Sequence, residues 1–141
     1  MVVSSERSVE ITRLSLGEYE AVNQRGGRLR FASGGEHDAF TPVELLLVAI
    51  AGCTAADVDY ITVKRAEPIG FDVRIRGDKV RDETGNCVKN IRLAVDLTFP
   101  EGEAGDAARE ILPSAVQRSH DRLCTVSRTV ELGTPVEVEI V

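Results

Sequence analysis

The sequence lacks the features that mark several large classes of protein. It carries 17 Lys and Arg against 23 Asp and Glu, a net charge of −6, and no basic segment accumulates. Binding to nucleic acid or to an anionic membrane surface is therefore not expected. The longest apolar run, from Leu45 to Cys53, is shorter than the roughly 20 residues that a transmembrane helix needs. We expect neither a nucleic-acid partner nor a membrane association.

Cysteine is scarce, and its arrangement excludes further classes. The 3 cysteines are Cys53, Cys87 and Cys124, and none belongs to a Cys-x-x-Cys pair. An odd, scattered set argues against a secreted disulfide scaffold, a zinc ribbon and a thioredoxin motif. With only 2 histidines, no metal-ligand spacing arises, and we expect no metal and no cofactor. Residues 1–7 lack the basic and apolar pattern of a signal peptide, which predicts a cytoplasmic location.

The length and the pattern predict one α+β domain over residues 1–141. A chain of 141 residues with 43% hydrophobic and 28% charged residues is ordinary for one globular domain. Alternation of apolar and polar residues predicts antiparallel strands, and longer apolar periods predict two helices. Pro113 should kink or split the second helix. The predicted strands are 8–16, 19–23, 28–32, 71–76, 87–99 and 136–140, and the predicted helices are 42–65 and 106–123.

The first predicted helix begins with a strong start signal and is unusually apolar. Thr41 can cap it, Pro42 fits its first position, and Glu44 completes a capping box. The residues that follow are almost wholly apolar, so we expect a buried helix that carries Cys53 about three turns in. One small sheet cannot cover such a helix on every side, which favours a dimer.

Two segments together resemble the OsmC/Ohr superfamily. Segment 41–54 reads TPVELLLVAIAGCT, and segment 124–128 reads CTVSR. The resemblance implies an α+β fold with antiparallel sheets packed around a long buried central helix, in an intertwined homodimer. It also implies a thiol-dependent peroxidase that reduces organic hydroperoxides and is recycled by a thiol or dithiol reductant. Cys53 matches the peroxidatic position and Cys124 the resolving position.

The chain departs from the characterised peroxidases at one position. They carry a glutamate ten residues before the peroxidatic cysteine, where it orients a catalytic arginine, whereas Val43 stands there in this chain. Glu44 stands nine residues before Cys53, one residue after Val43. On a helix, that one-residue offset is a rotation of about 100°. Glu44 is therefore a candidate both for helix capping and for holding an arginine of the site. The candidate arginines are Arg25, Arg28 and Arg30.

Four other residues bear on the site. Asp57 follows Cys53 by four residues and shares its face of the helix. An anion there opposes ionisation of the thiol, so we expect it in a structural hydrogen bond or ion pair. His120 precedes Cys124 by four residues but lies in a polar segment and should be exposed. Cys87 should be structural or on the surface, and His37, in a Gly-rich loop, is a weaker candidate for a pocket mouth.

The leading hypothesis is a Cys53/Cys124 peroxidase whose apolar pocket is lined by residues 45–50 and the facing strands. Two alternatives remain open. One is a non-catalytic dimeric module that binds a small apolar or thiol-bearing ligand, which the valine at position 43 favours. The other is a thiol redox sensor without peroxidase turnover.

Overall fold

The computed structural model describes residues 1–35 and 38–141, so the prediction for His37 falls outside the described residues. The chain forms two compact units, residues 1–46 and 47–141. Each unit is described by itself below. The expectation of one domain over the whole chain stays a prediction.

The first unit contains a three-stranded antiparallel sheet in the order β1-β2-β3. Its strands are β1 (Val9–Ser15), β2 (Glu18–Asn23) and β3 (Arg28–Ala32), close to the predicted ranges. Gly17 has φ 79° in the first turn, a conformation that favours glycine. The alternation of apolar and polar residues in this segment predicts a half-buried strand, and that expectation is wrong, because every residue of β1 is exposed. Both of its faces lack cover from the described part of the chain.

Helix α1 (Pro42–Thr62) is 21 residues long and follows the third strand. Its start confirms the predicted cap, but its predicted burial is only partly observed. The buried residues are Ile50, Ala51, Thr54, Val58 and Thr62. Apolar residues on other sides remain exposed, including Val48 at 48% and Tyr60 at 76%. A single chain therefore covers one side of α1 and leaves the others open.

Helix α1 is also longer than the apolar run that was counted in the sequence. By length and composition alone it could cross a membrane, with a mean hydropathy of 1.6 and 28% of the relevant window buried. The apolar core helix of a soluble protein meets the same criterion. The length of the apolar run therefore does not exclude a transmembrane helix, and the expected absence of a membrane association stays a prediction.

The second unit contains a two-stranded antiparallel sheet, formed by β4 (Gly70–Asp82) and β5 (Gly85–Thr98). The register shifts between Arg76 and Asp78, where β5 carries one extra residue. Asn90 adopts φ 53° at this bulge, and its amide donates to Asp78 Oδ2 at 3.0 Å. The bulge is thus stabilised by a side-chain bond across the two strands.

Three helical segments follow the hairpin: α2 (Glu103–Arg118), a π turn (Ser119–Leu123) and α3 (Thr125–Leu132). The second predicted helix corresponds to α2 and the π turn. Pro113 lies inside α2 without splitting it. The π turn and α3 were not predicted. Short helical segments of this kind carry little periodicity, and a π turn depends on a hydrogen-bond register that the sequence does not show.

The final predicted strand, residues 136–140, is wrong. This segment has no regular structure, and Val136, Val138 and Ile140 are 85%, 87% and 100% exposed. Apolar and polar residues do alternate in this segment. A strand, however, also needs a neighbouring strand with which its backbone can form hydrogen bonds. The described part of the chain offers it none. The fold as a whole confirms the predicted α+β class, with antiparallel sheets and a central helix.

Candidate thiol site

The structure brings Cys53 and Cys124 together within the second unit. Both are free thiols, and they lie close enough that each shifts the pKa of the other. The two residues are far apart in sequence and close in space, as the sequence motifs predicted. Their redox roles stay predictions at this point.

Each sulfur is positioned by a helix. Cys53 projects from the third turn of α1 and is partly exposed, whereas Cys124 is 0% exposed. Cys124 is the N-cap of α3, with an extended backbone, and its N–H donates to Ser119 O at 2.8 Å to close the π turn. The first turn of α3 points its N–H groups at both sulfurs. Val126 N–H donates to Cys53 Sγ, and Ser127 N–H donates to Cys124 Sγ at 3.4 Å.

Asp57 connects α1 to the π turn. Its Oδ2 accepts a hydrogen bond of 2.8 Å from the Ser119 hydroxyl, and Ser119 is fully buried. This contact confirms the structural hydrogen bond expected for Asp57. Because Ser119 begins the π turn that ends at Cys124, the bond also fixes where Cys124 stands relative to Cys53.

The two thiols have different acidities. Burial raises the pKa of Cys53, and the hydrogen bond to Cys124 and the charges of Cys124 and Asp57 raise it further, against an opposing Val126 N–H. Burial also raises the pKa of Cys124, but hydrogen bonds from Ser127, Cys53 and Thr54 outweigh it, so the pKa of Cys124 lies below its usual value. Cys124 is therefore the more acidic thiol of the pair.

Among the described residues, the main groups that shift the pKa values of the two thiols include no cation. These groups are thiols, hydroxyls, backbone N–H groups and one carboxylate. In the first unit, Arg28 and Arg30 contact Glu20, at 2.6 and 3.6 Å. Arg25 lies on the surface of the same unit. The supporting role suggested for one of these arginines stays a prediction.

Glu44 forms the predicted capping box. Its Oε1 accepts from Thr41 N–H at 3.0 Å, and Glu44 N–H donates to Thr41 Oγ1 at 3.2 Å. This reciprocal pair satisfies two N–H groups that the start of α1 would otherwise leave without a partner. The structure therefore gives Glu44 a capping role, and its predicted catalytic role stays a prediction.

Glu44→Gln should be mild, because glutamine also fits the capping box. We expect the free energy of unfolding to change by well under the roughly 1 kcal/mol typical of a lost cap. The rate of Cys53 oxidation should not change. Denaturant unfolding and stopped-flow oxidation measure the two quantities, and Glu44→Ala serves as the control that removes the cap. A tenfold slower oxidation at unchanged stability would instead place the Glu44 charge in the site.

The remaining predicted residues take no part in the contact between the two thiols. Cys87 is exposed on β5, a surface position as predicted. His120 is exposed and lies 3.7 Å from Glu131. The sequence analysis did not identify Ser127 or Thr54 as residues of the site. The spacing Cys124-x-x-Ser127 is nevertheless the spacing between an N-cap residue and the third residue of a helix.

A cavity of about 370 Å³ lies beside the pair. Thr54, next to Cys53, and Ser127, bonded to Cys124, belong to its wall. Of the predicted lining run 45–50 only Ile50 is among the wall residues, while β5 contributes two apolar side chains as expected. The other wall residues are Ile91, Leu93, Val116, Gln117, His120, Val130 and Glu131. Across residues 1–35 and 38–141, no group of three or more His, Cys, Asp or Glu side chains could hold a metal ion.

Antiparallel sheets, a central helix and two neighbouring free thiols beside an apolar cavity define an α+β protein with a two-cysteine site. The chain belongs to the OsmC-like protein family, whose family model matches residues 35–139. The resemblance seen in the two motifs is thereby confirmed.

Several known proteins are similar to this chain. An uncharacterised protein of Mycobacterium tuberculosis is 29% identical over 136 residues, which cover 93% of each chain. The OsmC-like protein from Mycoplasma pneumoniae has a TM-score of 0.71 at 13% identity and covers 92% of this chain and 89% of its own. The organic hydroperoxide resistance protein OhrB of Bacillus subtilis has a TM-score of 0.57 at 14% identity, with 89% and 90% coverage. At these identities the two structures show the shared fold alone.

Proposed function

We propose that the protein is a thiol-dependent peroxidase that reduces organic hydroperoxides through Cys53 and Cys124. The observation that carries the proposal is a pair of free thiols, close enough to shift each other's pKa, beside an apolar cavity. A structural neighbour bears the name of an organic hydroperoxide resistance protein, which supports the same substrate class.

The proposed reaction has two steps. Cys53 is the partly exposed thiol, so its sulfur attacks the outer oxygen of the hydroperoxide. The O–O bond breaks, the alcohol leaves with a proton, and Cys53 becomes a sulfenic acid. The sulfur of Cys124 then attacks that of Cys53, a disulfide forms, and water is released. A thiol or dithiol reductant restores both thiols, and no cofactor is required. Because this cycle needs reduced thiols, we also propose a cytoplasmic location.

The size and lining of the cavity support an organic substrate. A volume of about 370 Å³ lies in the range of small-molecule sites. Five aliphatic side chains line it, namely Ile50, Ile91, Leu93, Val116 and Val130. Burial of apolar surface contributes about 25 cal/mol per Å², so a hydrocarbon group can contribute to binding there.

The proposal is tested by stopped-flow oxidation of the reduced protein with cumene hydroperoxide and with hydrogen peroxide, combined with thiol counting. The organic hydroperoxide should react faster by about tenfold or more, since its hydrocarbon group gains roughly 1–3 kcal/mol in an apolar site. Equal second-order rate constants would contradict a shaped apolar site. No oxidation by either reagent would favour the non-catalytic binding module.

One observation favours a second candidate function. The pKa of Cys53 is raised, chiefly by burial, and a thiol of raised pKa reacts slowly at neutral pH. A thiol redox sensor, which needs one oxidation rather than rapid turnover, tolerates such a thiol. A single stoichiometric oxidation without turnover in the presence of a dithiol reductant would identify the sensor.

We also propose that the protein is a homodimer. The support is apolar surface that the chain leaves uncovered on β1, on α1 and in the C-terminal segment, which a second copy would bury. The most exposed apolar residues of these elements are Val9, Ile11, Tyr60, Val136, Val138 and Ile140. Surfaces that are buried only on assembly commonly leave no stable monomer.

The thermal midpoint should therefore rise with protein concentration, because association stabilises the folded state by mass action. Val48→Lys places a charge on the exposed side of α1 and should weaken the dimer in sedimentation experiments. Val2→Lys, at a residue that is 93% exposed, is the matched control and should not. A folded monomer of the unaltered protein at micromolar concentration would refute the proposal.

A further inference from the structure

Ser127 makes two contacts with the sulfur of Cys124. Its N–H donates to Cys124 Sγ at 3.4 Å, and its hydroxyl shares a hydrogen bond of 3.2 Å with the same sulfur. In the neutral state the thiol donates to the hydroxyl. Once the thiol has ionised, the hydroxyl can turn and donate to the sulfur. Ser127 can therefore follow the ionisation of Cys124 without moving its backbone.

The position of Cys124 makes its charge useful to the fold. N-cap positions prefer side chains whose oxygen accepts from the first N–H groups of the helix. A neutral thiol accepts weakly, whereas a thiolate is an anion at the positive end of the helix dipole. The sulfur of Cys124 caps α3 through Ser127 N–H. Ionisation of Cys124 and capping of α3 thus favour each other.

We propose that Ser127 is a positioning residue that favours the thiolate form of Cys124, the form that attacks the sulfur of Cys53. This inference rests on the peroxidase function proposed above and names the residue that controls its second step. In that step the Cys124 thiolate attacks the sulfur of the Cys53 sulfenic acid. The S–S bond forms and the S–O bond breaks. The departing hydroxide takes a proton from solvent and leaves as water, so charge and atoms balance.

The acidities of the two thiols agree with this division of roles. Burial raises the pKa of Cys124, but the Ser127 side chain is the largest of the opposing contributions, and the net pKa is lowered. The pKa of Cys53 is raised, so Cys124 is the thiol of the pair that ionises first. A second hydroperoxide molecule competes for the sulfenic acid and converts it to a sulfinic acid. The thiolate fraction of Cys124 decides that competition.

The test removes the hydroxyl and then restores it. Ser127→Ala retains the backbone N–H but loses the side-chain bond, and Ser127→Thr retains both. In the Cys53→Ser, Cys87→Ser background, Cys124 is the one remaining thiol and its titration is followed by thiolate absorbance. Ser127→Ala should shift the titration upward by about one pH unit, which is a tenfold smaller ionisation constant. Ser127→Thr should titrate like its parent.

The second measurement uses the Cys87→Ser background, in which Cys53 and Cys124 are both present. With excess cumene hydroperoxide, Ser127→Ala should accumulate sulfinic acid on Cys53 at about a tenfold lower dose than its parent, as measured by mass spectrometry. Raising the pH should abolish the difference, which a merely structural role of Ser127 would not produce. Ser127→Thr should resist overoxidation like the parent.

The two proposals fail in distinguishable ways. If the parent protein shows no oxidation by hydroperoxide, the peroxidase function is refuted and the disulfide step with it, whatever the titration shows. If the parent forms the disulfide but Ser127→Ala titrates and overoxidises like it, the peroxidase function stands and the role of Ser127 is refuted. An upward shift reversed by Ser127→Thr, together with pH-dependent overoxidation, supports the role.

Discussion

One equivalent of cumene hydroperoxide should remove two thiols from the reduced protein and none from Cys53→Ser. The two thiols lie close enough to shift each other's pKa, so attack by one sulfur on an oxidised partner needs little movement, and the disulfide should form in place. Cys53 is the accessible thiol, whereas Cys124 is buried. Removal of Cys53 should therefore abolish the reaction, and thiol counting with mass spectrometry measures the loss.

Three variants complete the assignment. Cys124→Ser should stop at a sulfenic acid on Cys53, which a dimedone adduct reveals. Cys87→Ser, at an exposed site on β5, is the matched control and should lose two thiols like the unaltered protein. If Cys53→Ser consumes hydroperoxide at the original rate while Cys124→Ser does not, the two roles are reversed, and the more acidic thiol is the nucleophile.

The rate of Cys53 oxidation should rise about tenfold for each pH unit between about pH 6 and pH 8. The thiolate is the reactive form, and below the pKa its fraction grows tenfold per unit. Burial, followed by the bond to Cys124, raises the pKa of Cys53 above its usual value, so no plateau should occur in this range. Stopped-flow rates across the range test the slope. A plateau of the oxidation rate near neutral pH would show that a group other than those named above lowers the pKa of Cys53.

Two matched variants of Asp57 test the same dependence of Cys53 oxidation on pH. Its negative charge raises the pKa of Cys53 and is the smallest of the contributions. Asp57→Asn removes the charge but can still accept from Ser119, so it should speed oxidation near neutral pH by about twofold to fivefold, as expected of a Coulomb interaction of roughly 1 kcal/mol. Asp57→Ala also loses the hydrogen bond and should destabilise the protein by about 1–3 kcal/mol. Identical pH profiles for Asp57→Asn and the unaltered protein would exclude this electrostatic role.

The sequence predicted the elements whose signals are local. β3 matches its predicted range, and α1 begins at Pro42 because Thr41 and Glu44 form a capping box that can be recognised from three residues. The final strand, 136–140, was wrong because alternation shows which face is apolar but not whether a neighbouring strand exists. Burial along β1 and α1 was overestimated for the same reason. It depends on cover that the sequence of one chain does not reveal.

The pairing of Cys53 with Cys124 followed from the two motifs, since no local pattern connects residues so distant in sequence. Their acidities could not be predicted. They depend on donors brought by folding, namely Val126 N–H, Ser127 and Thr54. Only Ser127 had a detectable signal, its spacing from Cys124. Glu44 was ambiguous in the sequence because capping and holding an arginine require the same carboxylate.

The π turn makes the thiol site sensitive to the length of the chain. Ser119 is fixed to Asp57, and the Cys124 N–H closes the turn five residues later on Ser119 O. An α-helical turn would close one residue earlier, and each residue rotates the chain by about 100°. Deletion of one residue from 120–123 would thus direct position 124 away from α1, whereas an added residue at the exposed tip beside Gly85 should be tolerated. During divergence, this segment should vary by substitution rather than by insertion or deletion.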